Sequence, residues 1–182
     1  MNDLIWFSIP GAILIISLSV AGNAPITSEP VMIALAPVIG FCLHQFYRTY
    51  FELTGGWSKS SRPIIRKLQN DYAIKNPKKA FLIWEMTFYS DAISDSFRSH
   101  DRGAWHYVMS FRSCAFSASI STVVLLVFGS PHRVWFALII FPLTSLVFWL
   151  KARLTLASIE AQEVATLELH KDAFDNAASK IT

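Results

Sequence analysis

Four apolar stretches, each near the lower length limit for crossing a bilayer, constrain this chain more than any other feature. They cover residues 4–21, 31–47, 113–129 and 134–150, and none contains Asp, Glu, Lys or Arg. A hydrocarbon core about 30 Å thick needs about 20 mostly apolar helical residues, with about 17 as the lower limit. Flanking side chains therefore have to help. Arg48, Arg112, Lys151 and Arg153 stand where charged heads reach water while their stems stay in lipid. Trp6, Phe7, Tyr47, Tyr50, Trp105, Tyr107, Trp135 and Trp149 cluster at the ends of the stretches, as an interfacial aromatic belt does.

Composition supports lipid as the solvent. Charged residues make up 16% of the chain, against about 25% in soluble domains, and the mean hydropathy is +0.39. The first stretch is expected to be a retained spanning helix rather than a cleaved signal. Its head carries Asp3 and no Lys or Arg, and Pro25 would follow a cut after Gly22-Asn23-Ala24. Cys42 and Cys114 lie inside apolar stretches and are read as small buried residues, with no disulfide framework and no zinc spacing.

Orientation follows from the placement of positive charge. Every Lys and Arg except Arg133 falls between the second and third stretches or in the tail. The positive-inside rule puts both termini and the long middle segment in the cytoplasm of a multi-pass cell-membrane protein. The short outer connections, 22–30 and 130–133, hold turn formers and predict two antiparallel hairpins.

The expected fold is an all-α membrane protein with four transmembrane helices in two hairpins. Hairpin 1 occupies 1–48, a cytoplasmic helical insertion 49–107, hairpin 2 108–151, and a cytoplasmic C-terminal helix 152–182. Within the insertion, a Gly- and Ser-rich irregular run (54–61) precedes a helix starting near Pro63, with Ile64, Ile65, Leu68 and Tyr72 on one face. Asn76-Pro77 breaks it, and a second helix runs from Lys78 toward His100, with Gly103 a possible interruption before the third membrane helix. The tail carries a partial apolar stripe of Ala157, Ala161, Val164, Leu167 and Phe174, with Glu160, Glu163 and Glu168 facing elsewhere. Such a stripe needs a partner, either the insertion or another subunit.

Three groups of residues are candidates for function. Asp91, Asp95, Arg98, His100, Asp101, Arg102 and His106 form the densest polar run. On a helix, Asp91, Asp95, Arg98 and Arg102 share a face as a salt-bridged surface, which needs no catalysis to explain it. The sharper reading makes Asp91, Asp95, His100 and His106 an acid–base group; no metal-ligand signature accompanies them, so no metal or cofactor is expected. Ser113, Ser117 and Ser121 recur every fourth residue of the third stretch and form either a helix-packing seam or a conduit lining, with His44 near the end of the second stretch as a permeation candidate. Lys59, Arg62, Arg66, Lys67, Lys78 and Lys79 are expected at anionic lipid headgroups. Nucleic acid is not an expected partner, because no recognition module accompanies the basic run. The leading functional expectation is a small oligomeric channel or channel-like effector controlled by its cytoplasmic region. The alternatives are an accessory or scaffold subunit of a larger membrane complex, and a membrane-bound enzyme.

Overall fold

A computed structural model describes residues 2–22, 29–56, 59, 61–128 and 131–181, with side chains for 8–21, 34–56, 59, 61–128, 135 and 138–181. The described chain is helical and contains no strand: α1 (Asn2–Gly22), α2 (Glu29–Leu53), α3 (Pro63–Asp71), α4 (Pro77–Phe88), α5 (Asp95–Phe128), α6 (Pro131–Leu169) and α7 (Lys171–Ser179). Two compact units form. The first comprises Met1–Thr49 and Tyr107–Arg153; the second comprises Tyr50–His106 and Leu154–Thr182. Residues 23–28, which hold most of the first expected hairpin turn, and 129–130, where the second begins, lie outside the described residues, as do the side chains of Trp6, Phe7, Glu29, Arg133 and Phe136.

Small residues bring the helices of the first unit together. A Cβ on Gly11 would sit 1.9 Å from the Ala36 carbonyl oxygen and 2.8 Å from the Gly40 amide nitrogen, so α1 and α2 touch backbone to backbone. Ala36 and Gly40 are four apart, the small-xxx-small spacing that permits such an approach. Ser117 Oγ donates to the Pro10 carbonyl at 2.6 Å and Ser121 Oγ to the Ile13 carbonyl at 3.5 Å, which joins α5 to α1. Ser145 Oγ donates to the Ala115 carbonyl at 2.9 Å and joins α6 to α5. Rings add to these contacts: Phe46 stacks on Phe116 at 5.9 Å and Phe111 on Phe148 at 6.2 Å.

Among the described residues, α5 and α6 are long and apolar enough to cross a membrane, while the described apolar part of α1, Ser8–Ala21, is shorter. Only 11% of the apolar part of α6 is buried within the chain, the opposite of a core helix in a soluble domain. Ile139, Leu143, Leu146, Val147 and Leu150 are exposed on α6, as are Val123, Leu126, Val127 and Phe128 on α5. A contiguous apolar surface of that kind calls for lipid or a partner. Cys114 is buried as expected, whereas Cys42, also expected to be buried, is exposed on α2.

The second unit has a core of ordinary globular character. Ile64, Ile65 and Leu68 of α3, Ala80, Ile83, Trp84 and Phe88 of α4, Leu167 of α6, and Phe174, Ala177 and Ala178 of α7 cluster with Ile74. Trp84 stacks on Phe174 at 5.8 Å. Local chemistry sets the ends of these helices. Pro63 and Pro77 occupy first turns, where the missing N–H has no intrahelical partner to lose, and the Asn76 side chain accepts from the Lys78 amide at 2.9 Å. Beyond α3, Ala73 takes a left-handed φ of 54°, and the Ile74 amide bonds the Gln69 carbonyl at 2.9 Å in a Schellman closure.

Three expectations about these elements need correction. The helix expected from Lys78 toward His100 stops at Phe88, because Ser90 Oγ turns back to the Thr87 carbonyl at 2.7 Å and Ser94 Oγ receives the Phe97 amide at 3.2 Å as a new N-cap. Gly103 does not interrupt the path onward; it lies inside the 34-residue α5. The buried face of the tail holds Ile159, Glu163, Thr166 and Leu167, while Ala157 and Ala161 are exposed. The partner of that face is the insertion itself.

Candidate functional site

Buried charge in the second unit is concentrated at one cluster. Arg62 lies at the entrance to α3, and its Nη2 donates to both Glu163 carboxylate oxygens, at 2.6 and 2.7 Å. The Arg62 side chain is 7% exposed and the Glu163 side chain 1%. Trp105 of α5 completes the arrangement twice over. Its indole N–H donates to Glu163 Oε1 at 3.3 Å, and its ring lies under the Arg62 guanidinium, 5.0 Å from the guanidinium carbon to the centroid. Phe51 packs against this group, its ring 6.4 Å from that of Trp105. The turn after α2 folds onto Phe51 so closely that a Cβ on Gly56 would lie 2.5 Å from the ring.

One turn before Trp105 on α5, Asp101 is also buried, and its Oδ1 has no hydrogen-bond partner. The cluster therefore holds two carboxyl groups and one guanidinium. Burial, then the Glu163 charge, pushes the Asp101 carboxyl up to about 7, with Arg62 opposing. Burial also pushes Glu163 upward, against the guanidinium and indole that hold its charged form. The arrangement can take up or release one proton near neutral pH inside a packed interface.

These assignments differ from the sequence-based expectations in specific ways. Arg62, expected at lipid headgroups, is instead the buried partner of Glu163. Glu163, expected to face away from the apolar stripe, lies in the middle of the buried face. Trp105, expected in an interfacial belt, is buried over Arg62. A cue existed: a carboxyl within the i, i+4, i+7, i+8 pattern of Ile159, Glu163, Thr166 and Leu167 has to be neutralised there by a proton or by a buried cation.

The acid–base candidates do not converge. Asp91 lies in the turn between α4 and α5, and Asp91, Asp95, His100 and His106 are all exposed. Asp95 pairs with Arg98 at 2.5 Å, and the Arg98 hydrogen bond holds its carboxyl below the ordinary range. Arg98 also donates to the Ser90 carbonyl at 2.9 Å and the Phe88 carbonyl at 3.4 Å, so it closes the end of α4. Arg102 lies over the Tyr89 ring at 5.9 Å. Among the described residues, no three His, Cys, Asp or Glu side chains gather as a metal site would need.

The remaining candidates divide between the two units. Ser113, Ser117 and Ser121 are fully buried in the first unit; Ser113 returns to the Met109 carbonyl at 2.8 Å, and the other two bond α1. His44 is buried on α2. In the second unit Lys59, Arg66, Lys78 and Lys79 are exposed, while Lys67 is half-buried and paired with Glu168. Comparison of the chain with protein-family models, characterised proteins and solved structures gave no match.

Proposed function

We propose that this chain is a multi-pass membrane protein that serves as an accessory subunit of a larger membrane assembly. Its four apolar helices cross the bilayer as two hairpins, and its helical insertion and tail form one cytoplasmic unit. The apolar outer surfaces of α5 and α6 support lipid contact, and the distribution of Lys and Arg supports the orientation. Exposed Lys59, Arg66, Lys78 and Lys79 suit anionic headgroups, each contributing about 1 kcal/mol close to such a surface.

One observation carries the accessory reading over the others. The polar side chains that would line a conduit, Ser117 and Ser121, bond the α1 backbone inside the same chain. What remains is a membrane anchor and a well-packed cytoplasmic body, which suit holding or regulating another component. Affinity purification of the tagged full-length chain from its native membranes tests this. A foreign protein at constant stoichiometry is expected; recovery of the chain alone would contradict the reading.

A second reading is a conducting assembly of several copies around the cleft open at the side of the first unit, although its Ser119, Thr122 and Ser145 hydroxyls donate to carbonyls of the chain itself. Ion flux through liposomes carrying the pure protein would support it and count against an accessory role.

A further inference from the structure

That cleft has the dimensions and chemistry of a lipid seat. It offers about 790 Å³, open to one side, and is walled by α5 from Arg112 to Val123, α6 from Pro142 to Trp149, and Tyr47 of α2. At a rise of 1.5 Å per residue, the α5 wall is about 16 Å long. Half of a bilayer core is about 15 Å. The cleft thus matches one leaflet in length.

Its two ends differ. At one end Arg112 Nη1 donates to the Tyr47 hydroxyl at 3.3 Å, and Trp149 lies under the Arg153 guanidinium at 5.0 Å. Guanidinium, phenol and indole are the side chains favoured at headgroup level. A guanidinium carries five donors in a planar fork that matches phosphate oxygens, which suits Arg112 to a headgroup phosphate. Further in, the wall consists of Ala115, Phe116, Val123, Pro142 and Leu146 with three hydroxyls. Those hydroxyls are already engaged by the chain: Ser119 and Ser145 both donate to the Ala115 carbonyl, at 3.0 and 2.9 Å, and Thr122 donates to the Ala118 carbonyl at 3.0 Å. With its donors satisfied, the deep part presents a dry surface, which suits an acyl chain better than a file of water.

We propose that this cleft binds one anionic phospholipid of the cytoplasmic leaflet, its phosphate on Arg112 and an acyl chain along α5 and α6. The proposal rests on α5 and α6 crossing the bilayer and not on the accessory role.

The test uses the full-length protein in mild detergent, titrated separately with phosphatidylglycerol, phosphatidylcholine and inorganic phosphate, and read by native mass spectrometry and thermal unfolding. One phosphatidylglycerol retained per chain, at least several-fold in preference to phosphatidylcholine, is expected. Arg112→Gln should abolish that preference, Tyr47→Phe should keep it, and Leu146→Trp, which fills the cleft, should weaken retention of both lipids. Equal preference in wild type and Arg112→Gln would overturn the proposal. So would stabilisation by inorganic phosphate equal to that by lipid, or a dimer that Leu146→Trp dissociates without changing lipid retention. Recovery of the chain from cells in a detergent-free soluble fraction would instead remove the membrane reading, and the lipid seat with it.

Discussion

Glu163 shows how much one side chain can organise. Its carboxylate accepts from Arg62 and Trp105, and Arg62 in turn rests on the Trp105 ring, so residues far apart in sequence are fixed at one point. Removing one member of a buried pair leaves the other charge without compensation, at a cost of about 3–5 kcal/mol. Arg62→Ala, which takes the guanidinium from two buried carboxyl groups, should therefore destabilise the second unit by about that amount in denaturant unfolding. Replacing both Arg62 and Glu163 with apolar residues should cost less than the single change.

The extra carboxyl makes the cluster sensitive to pH. Asp101 rises from an ordinary 3.8 to about 7, so between those values the folded chain holds a proton that the unfolded chain has released. The stabilisation linked to that proton is complete below about 4, declines as pH rises, and is lost above about 7. Melting temperature should therefore fall between pH 5 and 8. Asp101→Asn should flatten the slope and melt higher than wild type at pH 8. Glu163 shifts in the same direction, so a residual slope is expected. A separate position tests backbone strain. Ala73 holds φ at 54°, where a Cβ is disfavoured, so Ala73→Gly should stabilise by up to about 1 kcal/mol in the same unfolding measurement.

Helices were legible from the sequence where a periodic pattern met a proline or a cap. The starts at Pro63 and Pro77 belong to that kind. The stop at Phe88 was not legible, because Ser90 and Ser94 end and restart helices only through bonds to particular carbonyls and amides. Gly103 misleads for the opposite reason: a single glycine is tolerated where the flanking turns are strongly helical. The serine seam was visible as spacing, but spacing could not distinguish packing from a conduit; the bonds to Pro10 and Ile13 favour packing. The identity of the buried cation was hidden among six other Lys and Arg residues between positions 59 and 79. Only the fold selects Arg62, by bringing it beside Glu163 of α6. At the α1–α2 contact, Gly11→Leu should separate the helices, since its Cβ already falls within 1.9 Å of the Ala36 oxygen. A lower melting temperature for the detergent-solubilised protein would check this, with Ala12→Leu, at a half-buried neighbour, expected to cost less.

Across the whole chain, two chemistries of burial coexist. The second unit hides its apolar side chains in an internal core, whereas α5 and α6 of the first turn many of theirs outward. Water stabilises the former and not the latter, so those two helices need lipid or a partner around them. The most direct measurement is cysteine accessibility in intact cells, with Cys42 and Cys114 replaced by alanine. Single cysteines at Lys79 and Ser179 should react with an impermeant maleimide only after the membrane is opened, and one at Thr27 should react in intact cells. Labelling of Lys79→Cys and Ser179→Cys from opposite sides of the membrane would contradict the account.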